Sequence, residues 1–138
     1  MTTVVVMKKK SAKTSSAPIS EAEWAVMELL WTSAPQTTQE LARALGVSHG
    51  WKRTTVLTLL QRLAKKGAIS AREGGARFLY EPRVRREDCI TEETQSFLNR
   101  LFGGAFHPLV AHFAEHHRLS SKDLKELEEL VERLKKDM

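Results

Sequence analysis

WKRTTVLTLLQRLAKKG, from Trp51 to Gly67, is the stretch on which the reading of this chain turns. Val56, Leu59, Leu60 and Leu63 recur at the spacing of one helix face, the pattern of a stripe packed on a core. Around the rest of the same helix stand Lys52, Arg53, Thr54, Thr55, Thr58, Gln61, Arg62, Lys65 and Lys66. All are cationic or hydrogen-bonding, and none carries a carboxylate. A face turned only to water mixes both signs, because neighbouring opposite charges stabilise it and like charges do not. A face of one sign suits a polyanion. The helix is expected to start near Lys52 and to stop at Gly67, which tolerates left-handed backbone.

Two more helices precede it. Ser20-Glu-Ala-Glu23 is a capping box, in which the serine hydroxyl accepts an amide hydrogen bond and Glu23 reaches back. The helix it opens puts Trp24, Met27, Leu30 and Trp31 near one face, widened by Val26 and Leu29, and Pro35 ends it. This places Trp24 and Trp31 in a core rather than against nucleic-acid bases, and Trp51 is read as buried between helices. A second capping box, Thr37-Thr-Gln-Glu40, opens a short helix with Leu41, Ala44 and Leu45 apolar and Gly46 as its expected stop.

After the basic helix come two short extended runs, Ala68–Arg72 and Arg77–Glu81, joined through Glu73-Gly-Gly-Ala76. They read as a β-hairpin. Three helices and a hairpin in residues 18–83 have the order of a winged helix-turn-helix, in which the third helix enters the major groove. The expected fold is therefore mainly α with a small β-hairpin wing, followed by a helical region over residues 84–138. Residues 1–17, rich in Lys, Ser and Thr, are expected to form a basic arm.

In that last region one helix is expected over Glu87–Leu101, broken by Gly103-Gly104, and a second carries Phe106, Leu109, Val110 and Phe113. Ser120 offers a further cap to a final helix with Leu124, Leu127, Val131 and Leu134 in a 3-4-3 spacing. Narrow stripes of this kind enclose too little volume for a separate core. Pairing with a second copy covers them, so Phe97, Leu101, Phe106, Leu109, Val110, Phe113, Leu124, Leu127, Val131 and Leu134 are expected at a homodimer interface.

The charge distribution agrees with this division. The 138-residue chain carries a formal charge of +5. Residues 1–82 hold 12 Lys/Arg against 6 Asp/Glu, whereas residues 83–138 hold 10 against 11. The excess of positive charge belongs to the part that contains the basic helix. A single cysteine, Cys89, excludes an intramolecular disulfide and fits a cytoplasmic location. No apolar run approaches the ~20 residues that span a bilayer, so no membrane insertion is expected. Neither a Gly-rich phosphate loop nor a metalloprotease motif is present, and Cys89 sits beside carboxylates that discourage a thiolate. The reading is of a non-enzyme that needs no cofactor.

With these elements in place, the chain resembles the penicillinase-repressor family, the BlaI/MecI/CopY type of bacterial transcriptional regulator. The resemblance runs from Ile19 to Leu134. It is carried by ISEAEWAVMELLW, WKRTTVLTLLQRLAKKGAI, ARFLYEPRV, SFLNRLFGG and LVAHFA. It implies a homodimer that binds a palindromic double-stranded operator and represses adjacent genes. Copper-sensing members end in paired Cys-x-Cys motifs, which this chain lacks. Members that control β-lactam resistance are released when a membrane sensor-protease system triggers cleavage at an Asn-Phe bond. The matching pair here is His112-Phe113, which keeps the phenylalanine and not the asparagine.

On that reading Lys52 and Arg53 meet guanine edges or phosphates at the helix entrance. Thr54, Thr55, Thr58 and Gln61 bring hydrogen-bonding groups, and the threonines also bring methyls for thymine. Arg62 and Lys65 lie farther along and suit phosphates, and Arg72 and Arg77 bracket the wing turn. Leu57 either touches a thymine methyl or covers part of the domain surface, and the amides at Thr37-Thr38 offer a phosphate contact. Two other readings compete. His112 and His116, four apart, have a zinc-clamping spacing and suggest a metal-responsive repressor. Alternatively the winged domain is a protein–protein adaptor, which would leave an acid-free basic helix without a use.

Overall fold

The capping boxes form as their sequences dictate. In the computed structural model, which describes residues 18–138, the Ser20 hydroxyl accepts from the Glu23 amide at 3.1 Å, and the Glu23 carboxylate accepts from the Ser20 amide at 2.8 Å. They open α1 (Glu21–Thr32). Thr37 and Glu40 repeat the arrangement at the start of α2 (Thr38–His49). The basic stretch forms α3 (Arg53–Lys66), with Lys52 as its N-cap residue and Gly67 ending it at φ +83°. The arm expected over residues 1–17 lies outside the described residues.

Gly46 does not stop α2. The helix runs through it to His49, and Gly50, at φ +71°, is the terminator. A Cβ at Gly46 would lie 3.6 Å from the Trp51 carbonyl oxygen, an ordinary contact, so this glycine sits in helical backbone without need of special freedom. The stop requires the left-handed conformation, and that occurs at Gly50.

Three strands make one antiparallel sheet in the order β1-β3-β2: β1 (Gln36–Thr37), β2 (Ile69–Gly74) and β3 (Arg77–Pro82). The hairpin forms as expected, but its strands run longer than the sequence suggests. Gly74 pairs with Arg77, leaving Gly75-Ala76 as a two-residue turn in which Gly75 takes φ +75°. Strand β1, pairing Gln36 with Tyr80 and Thr37 with Leu79, has no counterpart in the sequence pattern. Two residues are too few to display an alternation.

The core forms where the stripes converge. Val26, Met27 and Leu30 of α1 meet Leu41 and Leu45 of α2, Val56, Leu59, Leu60 and Leu63 of α3, and Ala68 and Ile69. Each large apolar side chain contributes ~1.5–3 kcal/mol on burial. Trp24, Trp31, Trp51 and Tyr80 pack half-buried around this cluster. Trp24 and Trp31 meet edge to face at 5.4 Å, and the Trp31 indole N–H donates to the Val84 carbonyl at 2.9 Å. Val84 and Cys89 are buried in the same cluster. Burial, with the charges of Glu92 and Asp88, pushes the Cys89 thiol up to about 11, which keeps it protonated at neutral pH.

One cation leaves the basic face. Lys66 bonds to the carboxylate of Glu23, which is 2% exposed, and donates to the Pro18 carbonyl at 2.6 Å. It thus ties the end of α3 to the start of α1. Burial raises the Glu23 pKa, but the Lys66 hydrogen bond, the Ser20 amide and the Lys66 charge together bring it below the ordinary 4.5. A depressed folded-state pKa stabilises the fold above that value, and the contribution is lost as pH falls through the folded pKa. Lys66→Met is therefore expected to lower stability by about 2 kcal/mol at pH 7, between the exposed and fully buried cases. In denaturant titrations the deficit should shrink at acid pH, once Glu23 is protonated in both proteins.

The chain divides into two compact units, one ending at Glu93 and the other covering Thr94–Met138. The boundary expected at residue 83 falls earlier than this division. Helix α4 (Arg86–Phe102) begins in the first unit, where the Arg86 guanidinium grips the Glu28 carboxylate at 2.9 and 3.2 Å. The second unit holds the end of α4, α5 (His107–Glu115) and α6 (Ser121–Lys136). Among the described residues of this unit Leu98 is the one buried hydrophobic, while Leu101, Phe106, Phe113, Leu124, Leu130, Val131 and Leu134 are all exposed. No helix among the described residues is long and apolar enough to cross a membrane.

Candidate nucleic-acid interface

Burying Val56, Leu59, Leu60 and Leu63 fixes which side of α3 faces outward. Lys52, Arg53, Thr54, Thr55, Thr58, Gln61, Arg62 and Lys65 are all exposed on that side. Leu57 is partly covered and stands outside the core cluster. The ion pairs formed among the described residues use Lys66, Arg72 and Arg86 rather than Lys52, Arg53, Arg62 or Lys65. The Thr58 hydroxyl donates to the Thr54 carbonyl at 3.0 Å, which leaves its oxygen able to accept.

The starts of α2 and α3 differ. At α2 the Thr37 and Glu40 amides are already held inside the capping box, with a carboxylate beside them. That makes the expected phosphate contact at Thr37-Thr38 a weak one. At α3 no side chain caps the first turn, and Lys52 and Arg53 flank it. The positive end of the helix dipole and two cations coincide there, an arrangement that attracts anions.

The wing carries Arg72 and Arg77, both exposed. Arg72 has an internal partner, Glu81, at 3.5 Å. Phe78, 52% exposed, does not stand out in the sequence, although its place between the arginine and Leu79 in ARFLYEP is visible there. Trp51 packs against the core and lies against the His49 ring at 4.4 Å. Its face is thus taken up by protein rather than offered to a base.

The residues expected at a dimer interface lie in the second unit. Phe97, Leu109, Val110 and Leu127 are half-buried, and the other six are exposed. The His112-Phe113 bond lies inside α5, with Phe113 exposed. A protease would need that helix to open locally before it could cut. His112 and His116 stack at 4.2 Å, and one ring nitrogen of His116 bonds to the His112 carbonyl at 2.9 Å. They line a shallow pocket with Phe113 and the cationic Arg118. Among the described residues no group of three His, Cys, Asp or Glu is placed to hold a metal ion.

Comparison with known proteins gives the chain its relatives. The family model described as penicillinase repressor matches residues 19–133. The penicillinase repressor of Bacillus licheniformis is 35% identical over 114 residues, which cover 83% of this chain and 89% of that protein. The methicillin resistance regulatory protein MecI of Mammaliicoccus sciuri is 30% identical over 113 residues, 82% of this chain and 92% of that one. Among solved structures, the DNA-binding domain of the repressor BlaI is similar at 34% identity and a TM-score of 0.48, covering 59% of this chain and 93% of that domain. The Bacillus licheniformis BlaI monomer in complex with the blaP half-operator is similar at 35% identity and 0.47, covering 52% and 88%. Matched over nearly all of its described length, this chain belongs to the penicillinase repressor family.

Proposed function

We propose that this chain is a DNA-binding transcriptional repressor that acts as a homodimer on a palindromic operator. Membership of a family of repressors supports the general role and gives no reason to look for catalysis. The observation that carries the reading is the outward face of α3, which holds Lys52, Arg53, Arg62 and Lys65 and no carboxylate. Arg53 and Thr55 are its base-reading residues, Arg62 and Lys65 its phosphate contacts, and Arg77 its contact from the wing. The second unit supplies the partner surface through the exposed apolar residues of α5 and α6. Release by a signal acting on that unit belongs to the same reading, with His112-Phe113 as the candidate scissile bond and a membrane sensor-protease system as the source.

Selection by the full chain from a pool of random duplexes tests the proposal. Enrichment of a two-fold symmetric sequence, with half-sites about 10 bp or a multiple of that apart, is the expected result. Recovery of no preferred sequence would favour a winged domain that serves as a protein adaptor.

A further inference from the structure

We propose that Phe78 is a minor-groove contact of the wing, the apolar counterpart of Arg77 on the opposite side of the same hairpin. The inference rests on the DNA-binding reading above and assigns a residue that the basic pattern alone does not reach. The register pairs Glu73 with Phe78, Ala71 with Tyr80 and Ile69 with Pro82. Residues two apart along a strand share a face. Phe78 therefore stands on the face that brings Tyr80 and Ile69 to the core, but nearer the turn, where it is 52% exposed.

Its neighbour on the other face has a different fate. A Cβ built at Gly74 would lie 2.5 Å from a Leu79 methyl, so the Leu79 side chain folds over that glycine and is absorbed within the wing. Arg72 and Arg77 share the Leu79 face, since Arg72 pairs with Leu79 and Gly74 with Arg77. Near its tip the hairpin thus has one cationic side and one aromatic side. A lone exposed phenylalanine is unremarkable on a general surface. Here it projects beside the two-residue turn of a hairpin that follows the reading helix directly in the same compact unit.

The minor groove of B-DNA is ~6 Å wide, and its walls are rows of sugars edged by phosphates. That width does not admit a two-stranded ribbon, so the wing meets the groove with its tip, where side chains of the two faces diverge toward opposite walls. Arg77 suits a phosphate on its side. On the other side the residue directly across from Phe78 is Glu73, whose carboxylate repels phosphate. Attraction there falls to the ring, which can lie against the apolar deoxyribose edges of that wall. Duplex DNA is the occupant that accounts for both faces at once, because its groove offers phosphate and apolar sugar side by side.

The test uses the full chain and its selected duplex, with affinity measured by fluorescence anisotropy across a salt series. Phe78→Ala is expected to weaken binding about tenfold, the scale of removing one partly covered aromatic ring. The slope of log affinity against log salt should stay that of the wild type, because no counterion is involved. Arg77→Ala should instead reduce the slope by about one. Phe78→Leu, which keeps an apolar group and spares the fold, should fall between wild type and Phe78→Ala. Unchanged affinity in both Phe78 variants overturns the inference, as does a weakening that tracks a change in oligomeric state. If wild type prefers no duplex, the DNA-binding reading itself fails. If Arg53→Ala weakens binding and Phe78→Ala does not, that reading stands and this inference alone falls.

Discussion

Leu127→Asp combined with Val131→Asp is expected to give a monomer whose first unit folds normally and whose grip on operator DNA is greatly weakened. Helix α6 is secured at its start by the Ser120–Asp123 capping box, which favours the helix locally. Its apolar residues are another matter. Leu124, Leu130, Val131 and Leu134 remain exposed, and Leu127 is only half-covered. A helix that sets this much apolar surface toward solvent is stabilised by whatever covers it. Two aspartates at the centre of the stripe would place unpaired charge in any such contact, which is strongly unfavourable. Because a dimer holds its second reading head at high local concentration over the second half-site, uncoupling the two should weaken operator binding ~100-fold or more. Sedimentation and anisotropy read the two effects separately. A variant that remains dimeric would move the interface elsewhere.

Arg53→Ala and Thr55→Ala should each weaken operator binding while leaving the melting temperature nearly unchanged. Both side chains are exposed and neither belongs to the core cluster, so the fold depends little on them. Arg53 is the first residue of α3, beside an uncapped helix start, where a guanidinium can reach two acceptors on a guanine edge. Removing one base-edge interaction costs ~1–3 kcal/mol, or roughly 5- to 150-fold in affinity. Changes at the matching operator bases should be tolerated by the variant better than by wild type. Full operator affinity in both variants would remove α3 as the reading helix.

Helix α3 is legible in the sequence because burial and charge give opposite signals on one short segment. Val56, Leu59, Leu60 and Leu63 all lie in the core, and the cations between them face outward. The capping boxes are equally plain, since a serine or threonine three residues before a glutamate states a local geometry. What escapes depends on partners distant in sequence. Lys66 reads as one more basic residue until Glu23, on another helix, is brought beside it. Strand β1 exists because Tyr80 and Leu79 come to lie against Gln36 and Thr37. The end of α2 passes from Gly46 to Gly50 because both glycines are permissive and only the three-dimensional path decides which one needs to be. Phe78 is hidden for a related reason: Phe78, Leu79 and Tyr80 run consecutively, so no alternation tells which of them the hairpin leaves outside the core.

The salt dependence of binding to the selected duplex bears most directly on the claim that the carboxylate-free face of α3, presented twice by a dimer, grips DNA. For ~6–10 phosphates neutralised per dimer, log affinity should fall with log salt at a slope near −5 to −9, and Lys65→Ala should make it shallower. A slope near zero, with affinity unmoved by Lys65→Ala, would contradict it.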